Sequence, residues 1–321
     1  FEHFKRTVNL RYFQWGVLGI LRHQFLPVLL QWCRRPTWDV FRAQFTDYQT
    51  RDAPHVKTFH PLSAWLYGLY VAMLWECVST KDTAGLLQTL EEPVAGNPFL
   101  IRYKGRQISQ DLCNSVHELY SACRGEGLQR PPTHVAELGG GYGRLAYVFC
   151  RAFPTTTYTL IDIPPALQIA QRYLREVLPQ ERLFGYRPFR RYEEIQEEFE
   201  QARIRVLAAH QLELLPPKYF DLVVTVSSLH EMTSAQIRHY LQQIDRVCRG
   251  SFYTKQWRVS RAAVNGFVIR QSEYPIPASW RTVYARRHPI QRMFFDALYE
   301  VGDVDPAASP GRRQTGIPRR R

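Results

Sequence analysis

Four glycines within the seven residues Glu137-Leu-Gly-Gly-Gly-Tyr-Gly143 constrain this chain more than any other segment. They follow a short apolar run, His134–Leu138, that reads as a β-strand. They precede residues 145–153, which read as a helix stopped by Pro154. Glycines between a strand and a helix permit a tight turn and let the backbone come close to a ligand. The dinucleotide fingerprint G-x-G-x-x-G is not strictly met. Counted from Gly139 its third glycine falls on Arg144, and counted from Gly141 it falls on Ala146, although an alanine is sometimes allowed there.

From Pro131-Pro132 onward, strand and helix signals alternate. Residues 158–161 form a β-rich run ending in Asp162. Leu167, Ala170, Leu174 and Val177 then share one helical face. Residues 205–209 read as a third strand, residues 221–226 as a buried fourth and 251–254 as a fifth, with a helix over Ser234–Val247 before the last. This alternation predicts an α/β fold, a Rossmann-like parallel sheet with helices on both faces. The first 125 residues read as mainly helical, through Trp65, Leu66, Leu69, Tyr70, Met73 and Leu74, and again over residues 111–123, with a loop or short extended segment over residues 92–106 between them. The expected organisation is a helical cap or dimerisation region over 1–125 and a cofactor-binding domain over 126–260. A C-terminal completion of the sheet with the substrate region follows over 261–303, and a loose basic tail over 304–321. Within the third part, residues 265–270 suit a strand, and 288–301 suit a helix or a strand.

The formal charge of +13 invites a nucleic-acid reading. Five of those charges are Arg312, Arg313, Arg319, Arg320 and Arg321 in the tail, which leaves 13 − 5 = 8 for residues 1–310. No RNA-binding module is recognisable. The fourth strand leads into Ser227-Ser-Leu-His230 rather than the Asn/Asp-Pro-Pro-Tyr/Phe motif common in base-amine methyltransferases. The six cysteines show neither C-x-x-C nor zinc-finger spacing, so reduced thiols and a cytoplasmic setting are expected. The most apolar early stretch, residues 17–32, is too short and too interrupted to span a bilayer. The five glutamates within 193–200, bordered by Arg190, Arg191, Arg203 and Arg205, read as a solvated helix with surface ion pairs.

An acid at a strand end followed by Gly-x-Gly-x-Gly resembles motif I of class I S-adenosyl-L-methionine-dependent methyltransferases. The combination of His134-Val-Ala-Glu-Leu-Gly-Gly-Gly-Tyr-Gly-Arg-Leu145, Tyr158-Thr-Leu-Ile-Asp-Ile-Pro164 and Val226-Ser-Ser-Leu-His-Glu-Met232 resembles the sugar O-methyltransferase family of bacteria. Phe252-Tyr-Thr-Lys-Gln-Trp257 and Arg287-His-Pro-Ile290 are similar too, and the resemblance covers about residues 95–300. It implies S-adenosyl-L-methionine as cofactor and a sugar hydroxyl as methyl acceptor, in a glycan, a glycolipid or a glycosylated natural product. The substrate can be acidic, since the residual +8 is compatible with that.

The expected cofactor residues are Glu137, Gly139, Gly140, Gly141, Tyr142, Gly143, Asp162, Ile163, His210, Gln211 and Ser227. Asp162, at the next strand end, can accept both ribose hydroxyls. Glu137 can support the loop or meet the cofactor's amino-acid end, and Arg102 can pair with its carboxylate. His210 or Gln211 can meet the adenine, and Ser227 and Ser228 can line the pocket floor.

His230 is the first candidate base, because an unperturbed imidazole titrates near neutrality. Glu231 can orient it or act as base itself, and His288 is the next candidate. Arg286 and Arg287 can contact an anionic substrate group, Lys255 can orient a hydroxyl and Trp257 can stack on a sugar ring. No local carboxylate cluster suggests a metal, so the reaction reads as metal-independent. Two rival readings are a methyltransferase acting on nucleic acid or another small molecule, and a non-catalytic interaction protein that keeps the fold. The extra N-terminal residues, with Tyr12, Phe13 and Trp15, can cap the site or form a homodimer interface.

Overall fold

The computed structural model describes residues 24–46, 61–96, 98–124, 130–261 and 268–302. Tyr12, Phe13, Trp15 and the tail arginines lie outside them.

The N-terminal region holds helix α1 (Leu26–Trp32), strand β1 (Gln44–Phe45), helices α2 (Pro61–Ser79) and α3 (Leu86–Thr89), strands β2 (Ile101–Tyr103) and β3 (Arg106–Ile108), and helix α4 (Gln110–Ala122). The three strands form a small antiparallel sheet in the order β1-β2-β3, of which the sequence reading had only the loop or short extended segment over residues 92–106. Each has only two or three residues, too few to show period-two alternation. Ser109 caps α4 by accepting the Leu112 N–H at 3.1 Å.

Strand β4 (His134–Leu138) leads through the glycines into α5 (Arg144–Ala152). Strand β5 (Thr157–Asp162), helix α6 (Pro164–Val177) and the short strand β6 (Leu183–Phe184) follow. Then come helix α7 (Gln196–Gln201) and strands β7 (Ile204–Ala208) and β8 (Phe220–Val226). Helix α8 (Ser234–Val247) precedes β9 (Cys248–Trp257), the hairpin β10 (Val259–Arg261) and β11 (Val268–Arg270), and finally β12 (Arg281–Arg287) and β13 (Phe294–Glu300). Among the described residues one sheet takes eight strands in the order β12-β13-β9-β8-β4-β5-β7-β6. Strands β4 to β9 of this sheet run parallel, and β13 runs antiparallel to both β9 and β12. This is the Rossmann-like α/β architecture, and its strand order reverses at β4, between β5 and β8.

Alternate residues of each strand face opposite layers. Val135, Tyr158, Leu160, Val224 and Tyr253 pack against α4, α5 and α6. Ala136, Ile161, Leu207, Val223 and Phe252 pack against α7 and α8. The first of these cores runs without a break into Val28, Tyr70, Leu74 and Trp75, so the N-terminal helices share the core on one face of the sheet.

Of the two alternatives for residues 288–301 the strand is the one formed, with a turn leading into β13. Two differences from the sequence reading have physical causes. Strand β12, which carried no strand signal, is a mostly exposed edge strand bearing Arg281, Arg286 and Arg287. Arg205 does pair with one of the glutamates, Glu200, at 3.3 Å, but from beneath the surface. It is fully buried, with its Nε donating to the Phe199 and Ala202 carbonyls at 2.7 and 3.1 Å and Nη1 donating to Tyr219 Oη at 2.8 Å. Arg203 likewise turns inward, to Glu181 and the carbonyls of Cys150 and Phe153.

Candidate active site

The parallel strands end along one edge, where a doubly wound sheet binds ligands at its switch point. Gly139–Gly143, Asp162, Ala209-His210, Ser227–Glu231 and Trp257 all lie on that edge. Gly139, Gly141 and Gly143 have φ of +79°, +55° and +92°, a region open to glycine at little cost. A Cβ on Gly139 would lie 2.1 Å from Ser228 Oγ, so this glycine lets the loops after β4 and β8 touch. A Cβ on Gly141 would meet nothing within 4 Å, because its face is open. Gly139→Ala is therefore expected to cost about 1–3 kcal/mol more than Gly141→Ala, which bears only the φ penalty. Paired thermal denaturation curves check this, and equal losses would contradict the contact.

Asp162 Oδ2 accepts the Gly141 N–H at 2.7 Å and Oδ1 accepts the Ile163 N–H at 2.7 Å. Each oxygen keeps acceptor capacity. Burial raises its carboxyl pKa, and the two N–H donors pull it back. Ile163, next to it, leaves 59% of its surface exposed. Ser227 adopts φ +56°, unusual for a non-glycine, and its N–H donates to the Lys255 carbonyl at 2.8 Å. His210 is exposed on the turn after β7.

Two residues expected to meet a cofactor have their polar groups committed elsewhere. Gln211 is fully buried, accepts the Ala208 N–H at 2.8 Å and donates to the Arg187 carbonyl at 2.8 Å. Tyr142 is buried, donates its hydroxyl to Asp111 at 2.9 Å and packs edge-on against Tyr173. Arg102 stands exposed on β2.

Glu137 lies under the loop, almost fully buried, and accepts the Tyr158 hydroxyl at 2.8 Å. Burial pushes its carboxyl up to about 8. A buried acid with a raised pKa holds a proton that the unfolded chain has already lost. Its contribution to stability is complete below the ordinary value of 4.5 and fades as pH rises to about 8. Glu137→Gln should therefore flatten any loss of stability between pH 6.5 and 8 in urea unfolding. An unchanged slope would contradict a protonated Glu137.

The imidazole of His230 is 6% exposed, and burial lowers its pKa to about 4. Its Nδ1 lies 3.0 Å from Gln256 Oε1, and its ring centroid lies 5.9 Å from that of Trp257. Glu231, expected to orient this ring, does not hold it: the closest approach is 4.0 Å and the carboxylate is mostly exposed. Burial and then the charge of Asp162 raise the Glu231 carboxyl, so the two acids feel each other at this edge of the sheet.

His288 is not brought to His230. Its Nδ1 accepts the Ile290 and Gln291 N–H groups at 3.3 and 2.9 Å, and its ring packs edge-on against His117. Its neighbour Arg286 is held by Asp296 at 3.0 Å, and Arg287 is exposed. His117, His230 and His288 all have lowered pKa values, with burial the largest cause. The unfolded chain protonates them near 6.5 while the fold keeps them neutral. Their contribution is complete above about 6.5 and is lost progressively as pH falls below it. A midpoint urea concentration that drops between pH 6.5 and 4.5 is expected, and an acid-insensitive midpoint would refute buried neutral imidazoles.

Sequence reasoning missed a buried charge network. Arg144, the first residue of α5, binds both Glu118 oxygens at 3.0–3.1 Å, and Lys255 Nζ donates to Glu118 Oε1 at 2.8 Å. Lys255 is thus committed to an ion pair rather than free to orient a hydroxyl. The available signal was a cation at a helix N-terminus, unfavourable against the helix dipole unless an acid is supplied. Among the described residues, no group of three or more His, Cys, Asp or Glu side chains gathers as a metal site.

No protein-family model matches the chain, and no curated protein matches it. Solved structures similar to it include the PH0226 protein from Pyrococcus horikoshii OT3, at 10% identity over 58% of this chain and 91% of that one, with a TM-score of 0.40. Another is the N-methyltransferase NodS from Bradyrhizobium japonicum WM9, solved with S-adenosyl-L-homocysteine, at 13% identity over 59% of this chain and 86% of that one, with a TM-score of 0.39. Likeness this distant assigns no family.

Proposed function

We propose that this chain is an S-adenosyl-L-methionine-dependent O-methyltransferase acting on a sugar hydroxyl. The observation that carries the reading is the junction of Asp162 with the open glycine loop at the strand-order reversal, on the same edge of the sheet as the turn that bears His230. The residues suit the cofactor: Asp162 retains acceptors for ribose hydroxyls, Ile163 offers apolar surface beside it, and Gly141 leaves its face open. His210 is free to meet the adenine edge.

When bound, the cofactor supplies an electrophilic methyl group on a sulfonium. The chain's own residues orient the acceptor and take its proton. His230, neutral throughout the physiological range, accepts the hydroxyl proton on Nε2 as the oxygen becomes the nucleophile. Trp257, partly exposed beside it, offers a flat apolar face to the C–H face of a sugar ring.

The test is incubation with S-adenosyl-L-methionine carrying an isotopic methyl, against sugars, glycans, glycolipids and nucleic acids, read by mass spectrometry. Label on a sugar oxygen supports the reading. Label confined to nucleic acid would replace it with the nucleic-acid alternative.

A further inference from the structure

Gln256 is fully buried near the end of strand β9, and nothing in the reading above uses it. Its amide orientation is set by groups that have no choice of role. The Thr225 carbonyl can only accept, and it lies 3.2 Å from Gln256 Nε2, with Thr254 Oγ1 at 3.1 Å from the same nitrogen. The Ser228 N–H can only donate, and it lies 3.1 Å from Gln256 Oε1, with the His230 N–H at 3.4 Å. The oxygen therefore faces the turn and the nitrogen faces the strands. His230 Nδ1 is 3.0 Å from that oxygen, which carries no proton to give. The hydrogen bond can form only if Nδ1 bears the imidazole proton. Nε2 is then left with a lone pair.

The geometry points to Gln256 as the positioning residue that holds His230 in its Nδ1–H tautomer, with Nε2 unprotonated on the side of Glu231, whose Oε1 lies 4.0 Å away. This deepens the proposed function and rests on it where turnover is concerned. The tautomer itself does not. Gln256 reaches His230 from the neighbouring strand, through the same oxygen that anchors Ser228, whose side chain packs on Gly139. One amide thus ties the candidate base, the turn after β8 and the glycine loop into a single frame.

The decisive measurement is nitrogen NMR of the full chain with isotope-labelled histidine, without cofactor, at pH 7. His230→Gln assigns the resonance. The expected spectrum shows a protonated Nδ1 and an unprotonated Nε2 for His230. An Nε2–H tautomer, or rapid averaging of the two, overturns the proposal whatever the enzyme's activity. Gln256→Met removes the acceptor at similar volume, and Gln256→Glu keeps an acceptor oxygen. The tautomer should be lost or averaged in the first and kept in the second. With turnover, Gln256→Met should lower kcat ten- to a hundredfold while calorimetric affinity for S-adenosyl-L-methionine stays within threefold. Gln256→Glu should recover most of kcat. A changed tautomer with unchanged kcat would contradict the positioning role. Absence of cofactor binding in the wild type would instead count against the methyltransferase reading and leave the tautomer result standing.

Discussion

His230→Ala is expected to lower kcat by about 100- to 10,000-fold, the range over which a positioned general base acts. Cofactor affinity should stay within a few-fold, because Asp162 and the glycine loop do not depend on the imidazole. The prediction rests on placement more than on basicity. A pKa near 4 means that the imidazole is neutral at pH 7, so essentially every molecule has a base ready. It also makes the imidazolium a reluctant product, so the proton must move as negative charge builds on the oxygen. Removing a buried ring leaves a cavity, and large-to-small changes in buried sites commonly cost 2–5 kcal/mol. Circular dichroism and cofactor titration of the variant must therefore accompany the rate. Turnover within tenfold of wild type, in a folded variant, would place the base elsewhere. Glu231 would be the first alternative, since it adjoins His230 and its carboxyl is raised by burial and by the charge of Asp162.

How far the sequence revealed this architecture depended on which signals are local. Strands β4, β5, β7 and β8 are short apolar runs buried on both faces, and each ends in a glycine, an acid or a turn. They could be read within a residue or two. The strand β12 could not, because five of its seven residues are exposed and it carries three arginines. The cofactor loop was legible for the same reason as the strands: acid, glycines, helix and second acid occur in order along the chain.

The partners of the candidate base were not legible. Glu231 adjoins His230 in sequence and suggested itself, but successive residues in a tight turn point different ways. The group that holds the ring, Gln256, is 26 positions away on a neighbouring strand. Lys255 and Gln256 are consecutive and face opposite sides of β9, one toward Glu118 and the other toward His230. Only the register of β8 against β9, with Val226 beside Lys255, assigns those sides.

The second large effect concerns Asp162. Its two oxygens receive the Gly141 and Ile163 N–H groups in the free protein, so the carboxylate fixes the loop before any ligand arrives. With ribose bound, hydrogen bonds from two hydroxyls to a charged acceptor would contribute about 1.5–3 kcal/mol each. Asp162→Ala removes them and releases the loop, so affinity should fall at least a hundredfold, since each tenfold corresponds to about 1.4 kcal/mol. Asp162→Asn keeps one acceptor and should fall between the two.

Calorimetric titration of S-adenosyl-L-methionine into the wild-type chain and into Asp162→Ala tests the central claim most directly. The account predicts saturable binding at one site per chain in the wild type and a loss of at least a hundredfold in the variant. No binding to the wild type, or binding that Asp162→Ala leaves unchanged, would contradict it.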